Sequence, residues 1–158
     1  MSTPGDELLK EAIELAVQAV REGTGGPFGA IVVKDGRVIG RGQNRVLESN
    51  DPTAHAEVVA IRDASRTLGS PHLRGCVLYA SCEPCPLCLA ASMWARVDSI
   101  WYAASRSAAE AVGFDDSIFH DELRMPEEER SLKVQHLLVD GAGLPFEEWS
   151  RQENRRLY

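Results

Sequence analysis

Residues 6–21 carry apolar side chains at helical spacing. Leu8, Leu9, Ala12, Ile13, Ala16, Val17 and Val20 fall on one stripe, which predicts an amphipathic helix. Gly23-Thr24-Gly25-Gly26-Pro27 breaks it, and the apolar run from Phe28 to Val33 predicts a strand. Asp35-Gly36 is a hairpin turn, and Arg37 to Asn44, with alternating character, is the returning strand. Asn50-Asp51-Pro52 is a second turn. Thr53, or the residue after it, is expected to cap a helix running to about Leu68. Cys76 to Ala80 predicts a buried strand, Pro86 to about Ala95 a helix, and Ser99 to Ala103 a further strand. Residues 105–131 are less regular, with a small helix interrupted by Gly113-Phe114-Asp115-Asp116-Ser117. Lys133 to Val139 reads as a last strand, Gly141-Ala142-Gly143 as a flexible joint, and Pro145 to Tyr158 as an amphipathic helix carrying Phe146 and Trp149.

Helices that alternate with strands predict parallel strands joined by crossovers. An opening hairpin added to such units predicts an α/β fold, a three-layer α/β/α sandwich with a mixed, mostly parallel central sheet. The 158 residues suit a single domain with a real core. Net charge is −7 with no basic run, which argues against a nucleic-acid or anionic-membrane surface, where Lys and Arg supply much of the affinity. No apolar stretch approaches a membrane span, and the acidic, amphipathic N-terminus does not read as a signal peptide.

Two short stretches carry the chemistry: Thr53-Ala54-His55-Ala56-Glu57 and Ser81-Cys82-Glu83-Pro84-Cys85-Pro86-Leu87-Cys88. They supply one imidazole, two thiols in a Cys-x-x-Cys pair, and a carboxylate beside the histidine, the pattern of zinc-dependent nucleobase deaminases. Structural zinc is held by four protein ligands. Here the set stops at His55, Cys85 and Cys88, so a fourth position is left for water, whose pKa zinc lowers to about 7. Glu57 is placed to move its protons. Pro86 suits the first turn of a helix, which puts Cys85 at the helix start and Cys88 on the same face. The competing readings are an iron–sulfur run, a redox dithiol and an ordinary core histidine. Position 92 is Ser, not the fourth cysteine an iron–sulfur cluster needs, and neither other reading employs the joint pattern. Cys82 falls at a strand end and is expected not to be a ligand; Cys76 is expected to be a small buried hydrophobe. Thiols at metal spacing suit a reducing cytoplasm.

The chain resembles the cytidine deaminase superfamily, and within it the small bacterial guanine deaminases, nearly end to end. The resemblance rests on Gly25-Gly26-Pro27-Phe28-Gly29-Ala30, the Asn50-to-Val58 and Ser81-to-Pro86 stretches, Trp94-Ala95-Arg96, Gly113-Phe114-Asp115-Asp116-Ser117, and the final Tyr158. The Phe-Asp-Asp-Ser stretch and the aromatic tail are what narrow it to guanine deaminase. It implies one zinc per chain on His55, Cys85 and Cys88, and Glu57 as proton shuttle. It further implies Asn44, Phe28, Trp94 and Asp116 around a purine base. Tyr158 would reach the pocket, from the partner in a homodimer whose tail, residues 144–158, is swapped. The implied reaction is hydrolysis of guanine to xanthine and ammonia. Alternatives on the same pattern are deamination of cytosine or an aminotriazine, deamination of a transfer-RNA adenosine, and a structural-zinc module with no use for Glu57.

Overall fold

A computed structural model describes residues 3–158. The chain divides into two compact units, the first ending at Ser117 and the second spanning Ile118–Tyr158. In the first unit the order is α1 (Pro4–Glu22), β1 (Gly29–Lys34), β2 (Arg37–Gln43), α2 (Val46–Ser49), α3 (Ala56–Leu68), β3 (Cys76–Cys82), α4 (Pro86–Trp94), β4 (Ser99–Ala104) and α5 (Arg106–Glu110). Helix α1 opens on a reciprocal cap: Thr3 Oγ1 accepts from the Asp6 N–H at 3.3 Å, and the Asp6 carboxylate accepts from the Thr3 N–H at 2.7 Å. It closes on Gly23 in the left-handed region.

The strands lie in the order β2-β1-β3-β4. Strand β1 runs antiparallel to both neighbours, and β3 pairs with β4 in parallel. The crossover through α3 does return β3 parallel to β2, but β1 lies between them. Of the three pairings, only the one spanned by α4 is therefore parallel. Asp35 and Gly36 both take positive φ, as a tight hairpin turn of this hand requires.

Strand β1 is buried along nearly its whole length because helices cover both of its faces. Ala30 and Val32 join Leu78 and Ala80 of β3 against Ala56, Ala60 and Ala64 of α3. Gly29 of the same strand turns to the other face, where α1 passes at Ala12 and Ala16. Small residues set the α3 contact. A Cβ at Gly40 would strike the Ala60 carbonyl and the Ala64 backbone, and one at Gly42 would strike the backbone of Ala56 and Ala60. The obstacle is backbone at both places, so it cannot rotate away. Gly42→Ala is expected to destabilise the protein by about 1–3 kcal/mol through overpacking, read as a lower denaturant midpoint at constant slope. The start of α3, which begins the metal site, should shift with it.

The second unit contains most of α6 (Ser117–Arg124), a short 3-10 turn (Glu127–Glu129) and α7 (Leu144–Arg151). Two sequence expectations fail here. Lys133 to Val139 is not a strand: it has no regular structure, and Val134, Leu137, Leu138 and Val139 are exposed. Apolar composition favours a strand, but a strand exists only where its backbone is paired, and this segment pairs with none among the described residues. The terminal helix stops at Arg151 and does not reach Tyr158. Arg155 folds back and donates to the Ser150 carbonyl at 2.6 Å, satisfying the helix end with a side chain instead of another turn. Among the described residues no helix is long and apolar enough to cross a membrane.

Candidate active site

Both helices that build the site begin on a chemically active residue. His55 is the N-cap of α3 and Cys85 the N-cap of α4. Each has extended backbone and makes no side-chain cap, so its imidazole or thiol remains available to the site. The expected cap at Thr53 is not used: Thr53 donates its N–H and its hydroxyl to Asp51, at 2.8 and 2.6 Å, closing the turn before the helix. Glu57 lies one residue inside α3 and Cys88 three residues past Cys85. Two helix N-termini thus converge on one point, where their partial positive charge favours thiolate.

The distances define the point. His55 Nδ1 lies 3.5 Å from Cys85 Sγ and 3.4 Å from Cys88 Sγ, and the two sulfurs are 3.6 Å apart. A tetrahedral zinc with bonds of about 2.0–2.3 Å holds its N and S donors roughly 3.5–3.8 Å from one another, so this trio fits one ion. Among the described residues these three form a group whose ligand atoms all lie within 4.8 Å of one another. Ligation through Nδ1 leaves the proton of the ring on Nε2. Cys82 ends β3 with its sulfur 3.6 Å from the Ser105 carbonyl, outside the trio. Cys76 is fully buried in the core.

The electrostatics point to the same ion. The Cys85 thiol is held down at about 4, first by the Cys88 hydrogen bond, with His55 adding to it against the opposing effect of burial. Cys88, whose sulfur lies 3.6 Å from that of Cys85 and donates to Glu57 Oε2 at 3.2 Å, is pushed up, first by the Cys85 contact and then by burial. Glu57 is only 6% exposed, and burial raises its carboxyl. Cys88 and Glu57 are thus held toward their neutral forms beside a favoured Cys85 thiolate, and a divalent cation among them would favour the ionised form of each. The carboxylate touches one ligand and is not itself part of the trio, as a proton carrier beside a metal requires.

The loop after α1 packs against Asn44, the residue that follows β2. Asn44 is buried, and its Oδ1 accepts from the N–H groups of Gly26 and Val46, both at 3.2 Å. This fixes the amide, because Oδ1 is committed to the loop and only the NH2 end is left to donate elsewhere. Gly25 is required beneath it, since a Cβ there would overlap Asn44 Oδ1. Phe28 meets Phe114 edge to face at 5.1 Å, and both crowd Gly26. Phe114 was unassigned by sequence reasoning, although it stands in the Gly-Phe-Asp-Asp-Ser stretch.

Of the two aspartates in that stretch the resemblance singles out Asp116, and the two side chains have different surroundings. Asp115 closes a turn by accepting the Ser117 N–H at 2.8 Å. Asp116 is the more buried, its side chain 16% exposed and 3.9 Å from the Arg106 guanidinium. Trp94 is the last residue of α4 and exposed, roughly 13 Å along the helix axis from Cys85. The fold brings it against Arg96 but not into the metal trio. Tyr158 lies in the second unit. A groove of about 610 Å³ in the first unit does not include the metal trio either; Ile13, Val17, Val20 and Val112 are among its apolar lining.

The family described as "Cytidine and deoxycytidylate deaminase zinc-binding region" matches residues 3–104. Guanine deaminase of Bacillus subtilis is 48% identical over 97% of this chain and 98% of its own length. A solved X-ray structure of guanine deaminase from Bacillus subtilis superposes with a TM-score of 0.93 at 47% identity, covering 100% of this chain and 99% of that one. A tRNA-specific adenosine deaminase of Haemophilus influenzae is 32% identical over 93% of this chain and 79% of its own length. With the trio and its carboxylate in place, this chain belongs to the zinc-dependent cytidine and deoxycytidylate deaminase family, in the branch of the bacterial guanine deaminases.

Proposed function

We propose that this protein hydrolyses guanine to xanthine and ammonia. The observation that carries the reading is the Cys88–Glu57 contact, which puts a buried carboxylate at the edge of a three-ligand metal trio. When bound at His55, Cys85 and Cys88, zinc supplies a Lewis acid and an acidified water. Glu57 would take a proton from the attacking water and pass it to a ring nitrogen of the base. As oxygen adds to the ring carbon bearing the exocyclic amine, a tetrahedral centre forms. Glu57 then helps protonate the departing nitrogen, and the carbon–nitrogen bond breaks. Water and guanine are consumed; xanthine and ammonia leave.

The pocket residues suit a neutral purine rich in N–H donors. Asp116 accepts ring N–H groups, the Asn44 amide donates to a ring acceptor, and Phe28 supplies flat apolar surface. A buried acceptor left unpaired costs about 1–3 kcal/mol, so bases lacking the matching donor are disfavoured. Asp116→Asn is the test. Guanine turnover should fall at least tenfold with metal content unchanged. Unaltered guanine kinetics in that variant would remove Asp116 from the pocket. Net charge −7 disfavours a transfer-RNA substrate, and the thiol ligands suit a cytoplasmic protein.

We further propose that the chain acts as one deaminase domain in a homodimer, with the tail of residues 144–158 serving the partner's pocket. Three observations support this. The outer edge of β4 is unpaired among the described residues. Val134, Leu137 and Leu138 are exposed in a segment without regular structure. The first unit also carries the apolar groove beside α1. Removing Tyr158 should cost roughly 10- to 150-fold in kcat/KM, the worth of one hydrogen bond to a charged group, with mass in solution and zinc unchanged. Mixing Glu57→Gln chains with chains lacking Tyr158 distinguishes the arrangements. A swapped tail restores activity, because the intact tail serves the intact Glu57 site; a tail serving its own pocket restores none.

A further inference from the structure

The structure assigns Arg106 as the residue that positions Asp116, by tying the turn that carries it to the cysteine loop. The inference rests on the reading of Asp116 as a substrate acceptor. The tie has two ends. At one, the loop 104–106 is clamped to residues 82 and 83. The Glu83 N–H donates to the Ala104 carbonyl at 2.9 Å, and the Arg106 N–H donates to Glu83 Oε2 at 3.0 Å. Glu83 stands two residues before Cys85, so the backbone of Arg106 is fixed to the segment that supplies two of the three metal ligands. At the other end, the Arg106 side chain reaches Asp116, with Nε 3.9 Å from Oδ1.

That distance is too long for a hydrogen bond and short enough for a strong charge interaction. Arg106 therefore attracts the carboxylate toward α5. Exposed ion pairs contribute little. Here, however, the carboxylate side chain is only 16% exposed, and the backbone from which the arginine reaches it is held by Glu83. Glu83 acquires a role too: it is neither ligand nor proton carrier but the hinge pin between the cysteine loop and α5.

The consequence is a coupling between Arg106 and Asp116 that appears in substrate binding more than in turnover. The experiment is a double-mutant cycle with Arg106→Gln, Asp116→Asn and the combined variant, read as kcat and KM for guanine, together with zinc content and Tm. Gln preserves the backbone N–H to Glu83, so only the side chain is tested. Arg106→Gln is expected to lower kcat/KM roughly three- to tenfold, chiefly through KM, with Arg106→Lys recovering most of the loss. In the Asp116→Asn background the same change should cost less than about twofold. An equal loss in both backgrounds, or a loss that tracks Tm or zinc and is not recovered by Lys, overturns the inference. If Asp116→Asn alone leaves guanine kinetics intact, the reading of the pocket fails, and this inference with it. If Asp116→Asn is damaging and Arg106→Gln is silent, only the inference fails.

Discussion

Glu57→Gln is expected to retain the fold and one zinc per chain while losing at least about 10³- to 10⁴-fold in guanine turnover. A single general acid or base contributes about 10²–10⁴-fold. Glu57 is asked to act in several proton transfers, so the loss should lie at or beyond the upper end. The amide is nearly isosteric and keeps the contact between position 57 and Cys88 Sγ, 3.2 Å from Glu57 Oε2. Packing at the start of α3 is therefore undisturbed. Burial disfavours a carboxylate at this position, so removal of its charge should not weaken the fold; Tm should hold or rise slightly. Zinc by metal analysis, Tm and xanthine formation check the three parts separately. Turnover within tenfold of the wild type would end the proton-shuttle account.

The second large effect concerns the ligands. Cys85→Ser and Cys88→Ser are each expected to lose zinc and with it essentially all activity, whereas Cys82→Ser should keep both. The contrast follows from geometry: Cys85 and Cys88 stand 3.5 and 3.4 Å from His55 Nδ1, and Cys82 is engaged with the Ser105 carbonyl instead. Cys88 is fully buried among its partners, so Cys88→Ser should also lower Tm in metal-depleted protein. Cys85 is partly exposed at the helix start, and its replacement should cost less fold stability. Loss of zinc from Cys82→Ser with retention in Cys85→Ser would reverse the assignment.

Much of this site was legible because its residues are placed by local rules. Pro86 at the first turn of α4 fixed Cys85 as the residue before the helix, and the Cys-x-x-Cys spacing then set Cys88 on the same face. Asp35-Gly36 announced its turn by needing positive φ twice. What failed was what depends on distant partners. The apolar pattern of Lys133 to Val139 has strand character, but the segment pairs with no strand among the described residues. The neighbour of β3 was equally hidden, because hydrophobic alternation says that β1 is buried on both faces and not which strands flank it. The roles of Asp115 and Asp116 differ through Arg106 and Ser117, one of them ten residues away in sequence. Glu83 and Phe114 stood inside recognised motifs, yet their partners, Arg106 and Phe28, could not be read from spacing.

Ammonia release is the most direct test of the central claim. The zinc-loaded protein, with one zinc per chain, should be offered guanine, adenine, cytosine, an aminotriazine and a transfer-RNA stem-loop at equal concentration. Guanine should give ammonia and xanthine in equal molar amounts, at least a hundredfold faster than the other compounds, since a polar site left unpaired can discriminate by about 10⁴–10⁵. Ammonia released fastest from cytosine or from the stem-loop, with guanine left intact, would contradict the account.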